Sequence, residues 1–257
     1  SSLGVTLRDI GQTDEAIELY DKAIVIEIQL VKDHPSVPLY ASSLASTYSR
    51  LGLSFVDNGQ ANQAIELYNR AILIGKQLVE DQPGIPSHVN RWSISIYNMG
   101  IALGELGQTD EAIEYYNKSI TIGKQLVKEH PDIPEYASSL ADSYSSLGVG
   151  LLDIGQTDEA IKLYNKAIVI REQLIRNHPD VQLYGFFLAK IYNNLGIALV
   201  ATGQPDQAIE SHNKAILIKK KLANGYPSVP KYAVSLARSY SSLGVTLRDI
   251  GQTDEAI

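Results

Sequence analysis

A Gly-Gln pair followed by Gln/Glu-Ala-Ile returns at Gly11, Gly59, Gly107, Gly155, Gly203 and Gly251, every 48 residues without insertion or deletion. A second glycine series, Gly4, Gly52, Gly100, Gly148, Gly196 and Gly244, keeps the same interval, as do Pro35, Pro83, Pro131, Pro179 and Pro227. A fixed period of this size means that each unit buries its apolar face against the neighbouring units. The chain is therefore expected to be a solenoid without one central core.

Each unit reads as two helices. Over 60–82, Ala64, Ile65, Tyr68, Ala71, Ile72, Gly75, Leu78 and Val79 share one helical face, and Glu66, Asn69, Arg70, Lys76 and Glu80 occupy the other. Gly59 supplies a left-handed-tolerant residue where the preceding helix stops. In three copies the next helix opens Thr-Asp-Glu at 13–15, 109–111 and 157–159, with the threonine expected to cap it and the acids facing the positive dipole end. Pro83 ends the helix and Pro86 fits the first turn of the following one, whose face carries Val89, Trp92, Ile96, Met99, Gly100 and Leu103. Strand patterns are absent, so the expected fold class is all-α: antiparallel pairs of helices, each about 20 residues long.

Tyr48-x2-Leu51-Gly52-x2-Phe55, followed by Ala64-x3-Tyr68 and Ala71, resembles the tetratricopeptide repeat pattern Trp-x2-Leu-Gly-x2-Tyr, Ala-x3-Phe. Tyr144, Leu147, Gly148, Leu151, Ala160 and Tyr164 repeat it, as do Tyr192, Leu195, Gly196, Leu199, Ala208 and His212. The resemblance implies a right-handed superhelical solenoid whose units, longer than the usual 34-residue repeat, carry extended helices. The expected organisation is one array over 1–257, with repeats 1–48, 49–96, 97–144, 145–192 and 193–240 and a partial repeat 241–257. Gly52 and Ala64 are expected to let two backbones approach, with Tyr48, Leu51 and Tyr68 filling the space around them. Twelve of the 15 tyrosines fall in three 48-residue series (20/68/116/164, 40/136/184/232 and 48/144/192/240) and read as core or helix-crossing residues.

Chemistry is sparse. Cysteine is absent, which removes disulfides, thiolate metal sites and thiol catalysis and leaves the compartment open. His34, His130 and His178 share one position before proline, too far apart along a solenoid to hold one metal, and are expected to satisfy helix-end carbonyls. His88 and His212 stand in tyrosine series. No phosphate loop, dinucleotide turn or nucleophile motif occurs, so no enzyme, metal or cofactor is expected. The balance of 22 basic against 29 acidic residues, net −7, argues against nucleic acid. No run approaches about 18 uninterrupted apolar residues, so no membrane span is expected. The sequon Asn117-Lys118-Ser119 lies mid-helix and reads as chance.

Binding in a solenoid belongs to first-helix positions that vary while the core holds. One such position reads Ser46, Ile94, Asp142, Lys190, Arg238, and neighbouring ones differ most around 87–106 and 183–202. The candidate partner-binding residues are Arg91, Tyr97, Asn98, Phe187, Lys190, Asn193, Asn194 and Arg238, since aromatic and Arg side chains dominate interface energetics. Some relatives clamp a peptide's terminal carboxylate. The matching positions here are Leu53, Ile101, Val149 and Ile197 for the Asn and Ser49, Tyr97, Ser145 and Asn193 for the Lys, so that clamp is not implied. The groove is expected to be mildly apolar, rich in hydroxyls and weakly charged.

Residues 1–17 and 241–257 are identical, five periods apart, and the only methionine is Met99. These features fit a window on a longer array or a chain continued head to tail, and equally a recent duplication with flanks outside the numbering. Two functions are thereby expected: a non-catalytic scaffold binding a protein or peptide in its concave groove, or a structural protein self-associating end to end into a filament.

Overall fold

The computed structural model describes residues 13–251. Among them lie ten helices and no strand: α1 Thr13–Asp33, α2 Pro38–Asp57, α3 Ala61–Asp81, α4 Pro86–Glu105, α5 Thr109–Glu129, α6 Pro134–Asp153, α7 Thr157–Asn177, α8 Gln182–Ala201, α9 Pro205–Gly225 and α10 Pro230–Asp249. Gly4, Gly11 and most of both identical stretches fall outside the described residues.

Two turn types alternate. After α2, α4, α6 and α8 the chain passes through Gly59, Gly107, Gly155 and Gly203, with φ between 70° and 80°. At the first of these Gln60 N–H donates to Phe55 O at 2.7 Å and Gly59 N–H to Val56 O at 2.9 Å, a Schellman closure that satisfies helix-end carbonyls. The other turn ends on an extended residue before proline, as at Val37-Pro38, Ile85-Pro86 and Ile133-Pro134. Proline enforces that extended geometry and opens the next helix without losing a hydrogen bond.

Two expectations about the caps are corrected. Thr109 and Thr157 are the first helical residues, preceded by Gln108 and Gln156 with no side-chain cap bond, while the acids do occupy the first turn. The histidines close helix ends through their backbone: His34, His130 and His178 N–H donate to Leu30, Leu126 and Leu174 O. The rings of His34 and His178 lie on Tyr40 and Tyr184, 5.7 and 6.4 Å between centroids.

The chain forms two compact units, residues 1–131 and 132–257. In the first, α1 to α5 pack each on the next, and α2 also touches α4. In the second, α6 to α10 do the same, with α6 on α8 and α8 on α10. First helices thus contact first helices within each unit, and this neighbourhood builds the sites described below.

The recurring glycine has a more specific role than backbone approach. A Cβ added at Gly52, Gly100 or Gly148 would lie 2.6–2.7 Å from a ring carbon of Tyr68, Tyr116 or Tyr164; at Gly196 the ring is that of His212. The ring lies flat on the missing side chain. Tyr20, Tyr68, Tyr164 and His212 are fully buried and Tyr116 nearly so. Burying a side chain of this size contributes about 2 kcal/mol, repeated once per unit. The other tyrosine series are mostly core, but Tyr40 and Tyr184 are half-buried and Tyr240 is half exposed on α10. Ser119 of the sequon is buried against Ser93, so its hydroxyl belongs to the core. Helix α8 is, by length and composition alone, apolar enough to cross a membrane; half of that stretch is buried in the protein.

Candidate functional site

In the first unit a cavity of about 640 Å³ opens between α2 and α4 over α3. Arg91 spans the two first helices, donating from Nη1 to Ser42 Oγ at 3.1 Å and Ser46 Oγ at 2.9 Å. Asn98 is buried at the cavity wall. Trp92 packs where Gly75 leaves room, its Cβ 3.1 Å from the position a Gly75 side chain would take. Tyr97, named from the sequence with these two, does not line the cavity; its ring packs on Tyr116 at 5.9 Å.

In the second unit a cavity of about 550 Å³ lies between α8 and α10 over α9. It gathers four sequence-named residues, Lys190, Asn193, Asn194 and Arg238. Phe187 is turned away: it lies beneath the Arg171 guanidinium at 5.1 Å, and Phe186 lines the cavity in its place. The floor is Lys219 of α9, only 3% exposed. Its Nζ donates to Ser239 Oγ at 2.7 Å and Ser235 O at 3.3 Å. Asn193 is bound into the same buried network, donating from Nδ2 to Ser239 Oγ at 2.7 Å while its Oδ1 faces His212 Nδ1 at 3.5 Å. His212 Nε2 meets Thr246 Oγ1 at 3.1 Å. Asn193 is therefore a positioning residue, whereas the exposed Lys190 and Arg238 and the half-buried Asn194 are open to a partner.

Lys219 was not among the residues named from sequence. It belongs to a second-helix column, Glu27, Gly75, Gly123, Arg171 and Lys219, which sits under the first helices and changes from acid to base along the chain. A reading confined to first helices passes over it. Nor does the weak groove charge expected from sequence hold in this cavity, where Lys190, Lys219, Lys231 and Arg238 converge.

Burial first, and then Lys190 and Arg238, push the Lys219 ammonium down to about 8. His212 is held below its ordinary range by burial and by Lys219. A lysine depressed in the folded state binds fewer protons there than when unfolded. Its contribution to stability thus grows as pH rises from about 8 to about 10.5 and is lost as pH falls through 8. Urea unfolding at pH 7.5, 8.5 and 9.5 is expected to show wild-type stability gaining, relative to Lys219→Met, on the order of 2 kcal/mol across this window. Parallel curves for the two proteins would mean that Lys219 is not buried as described.

Family models described as tetratricopeptide repeat match residues 92–173 and 139–221, and further ones match 1–36 and 45–74. Together with the glycine–ring contacts, these matches decide the family. The chain is a tetratricopeptide-repeat protein. Its helix pairs are those of the family, and the fold is one suited to protein–protein interaction. No curated protein matches this tetratricopeptide-repeat chain in sequence. Among solved structures it is similar to BtubC (BKLC) from P. vanneervenii, with TM-score 0.69 and 18% identity over 95% of this chain and 86% of that one. It is also similar to the apo form of RapI, with TM-score 0.65 and 14% identity over 98% of this chain and 90% of that one. A putative kinesin light chain from Podosopora anserina, with nearly identical TPR-like repeats, gives TM-score 0.55 and 24% identity over 86% of this chain and 93% of that one. At these identities the likeness concerns the fold.

Proposed function

We propose that this tetratricopeptide-repeat protein is a non-catalytic scaffold that binds a protein partner on its first helices, chiefly at the cavity of the second unit. The observation that carries this reading is the composition of that cavity. Its exposed residues Lys190 and Arg238 and the floor residue Lys219 vary between repeats, while the glycine and proline series that set the helix pairs recur every 48 residues. Variation over a constant frame is what a selected recognition surface requires. We further take the five repeats as one array, because the 48-residue period crosses residue 131 unbroken.

A photo-crosslinking amino acid placed at Asn194 should form an adduct with a protein partner in the native cell, whereas one at the exposed second-helix residue Glu210 should not. Equal yields at both positions, or none at Asn194, would remove this cavity from the reading. Substituting Tyr97 or Phe187 is no test of binding, because those rings pack against Tyr116 and Arg171.

A second reading, self-association into a filament, draws on the recurrence of an identical 17-residue stretch after five periods. Electron microscopy of native material separates the two: long uniform fibres support the filament, and discrete particles support the scaffold.

A further inference from the structure

The 48-residue register places Lys190 and Arg238 where Asp142 stands one and two repeats earlier, and Lys219 where Arg171 stands. In the α6–α7 pair that register yields a charge match, with Arg171 on Asp142. One repeat later it yields a mismatch. Lys219 is buried, its two partners are the neutral Ser239 and Ser235, and the charges bearing on it are Lys190 and Arg238. The acid that bears on Lys190 is Asp142, already engaged by Arg171. Lys231 adds a fourth cation at the rim. The imbalance extends beyond the cavity: residues 182–249 carry eight Lys and Arg against Asp206, Glu210 and Asp249, in a chain whose net charge is −7. Like charges gathered on a buried ammonium are unfavourable unless an anion completes the set.

We propose that the cavity between α8 and α10 takes an acidic peptide segment of a partner protein, its Asp or Glu side-chain carboxylate held between Lys190, Arg238 and Asn194 above Lys219. The inference rests on the scaffold reading and names the chemistry of the partner. A peptide fits better than a small oxyanion because the cavity of about 550 Å³ is also walled by Phe186, Ile197 and Val234. These offer apolar contact to residues flanking the acid. Lys219 differs from the first-helix cations in coming from a second helix, below the groove, so that it receives a side chain reaching inward.

The probe is a fluorescein-labelled, C-terminally amidated decapeptide of Asp and Glu with one central Leu, which carries no terminal carboxylate. Anisotropy titration of the full chain is expected to show salt-dependent binding, at least tenfold weaker for the peptide with Asn and Gln in place of the acids. Lys190→Glu with Arg238→Glu should weaken binding more than tenfold. Lys220→Glu with Lys221→Glu, the same charge change at exposed positions on α9 outside the cavity, should stay within about threefold. Because Lys190 and Arg238 are exposed, the first pair should leave circular dichroism unchanged, and because it puts carboxylates in place of cations bearing on Lys219 it should hold or raise the melting temperature, which separates lost contact from lost fold. Equal weakening by both pairs, equal binding of the neutral peptide, or no binding by the wild type would overturn the proposal. So would displacement of the peptide by inorganic phosphate at equal concentration, since an oxyanion alone would then suffice. Should the peptide fail while Asn194 still crosslinks to a protein partner, the scaffold reading stands and only the acidic chemistry falls.

Discussion

Gly148→Val is expected to be among the most damaging single substitutions in the second unit, lowering stability by about 3 kcal/mol or more. A Cβ at this position would meet Tyr164 Cε1 at 2.6 Å and Cδ1 and Cζ at 3.0 Å. Tyr164 is fully buried, its ring closed in by the packing of α6 against α7, so it cannot swing clear without carrying a helix with it. Valine adds two methyl groups to that overlap in a close-packed interior. For a chain of this length the loss corresponds to a fall in melting temperature of about 10 °C. Gly104→Val is the control, because Gly104 is exposed and its nearest added contact is Tyr116 Oη at 3.7 Å. Repeat stability is summed from units and their interfaces, so hydrogen exchange should show the loss concentrated in α6 and α7. A melt within 2 °C of wild type would mean that the ring and the glycine are not in the contact described.

That contact also marks how far the sequence could be read. The glycine series, the proline series and the alternation of apolar faces located the helix pairs, because backbone geometry depends on residues that recur every 48 positions. The ring lying on glycine was not legible: a motif gives the spacing of Gly148 and Tyr164 but not which atom of one approaches the other. For the candidate site, variability along the first helices identified Lys190, Asn194 and Arg238, which do share a cavity. It also named Tyr97 and Phe187, whose rings turned to neighbouring aromatic and guanidinium partners, since a variable position reports exposure to change and not direction. Lys219 was passed over because its column lies on the apolar face of the second helices, where Gly75 and Gly123 disguise it as packing. Reading that column for charge would have found it: acid at Glu27, then two glycines, then Arg171 and Lys219.

Asp142→Ala is expected to cost about 3 kcal/mol, whereas Arg171→Met should be close to neutral, although both remove the same ion pair. The asymmetry follows from burial. Arg171 is fully buried, while the Asp142 side chain is 31% exposed. Removing the acid leaves a guanidinium in the interior over the Phe187 and Tyr184 rings, with Ser138 Oγ at 2.8 Å and Ser138 O at 3.3 Å as its remaining hydrogen-bond acceptors, and its Nε already without one. Two neutral acceptors do not balance a buried charge. Removing the arginine instead leaves a carboxyl that burial already holds above its ordinary range and that is partly open to solvent, so it can take up a proton or lean on Lys190, with methionine filling the space over Phe187. The double variant should therefore resemble Arg171→Met, and the cycle of four unfolding free energies should give a coupling of at least about 1.5 kcal/mol. Additive losses would show that Asp142 stabilises α6 by some other contact and that Arg171 is not held by its charge. The same cycle bears on the next repeat, where the register substitutes Lys190 and Arg238 for Asp142. If a buried cation in this column depends so heavily on an acid in the first helix, Lys219 lacks among the described residues what Arg171 has. The acidic segment proposed for the α8–α10 cavity would supply that acid from a partner.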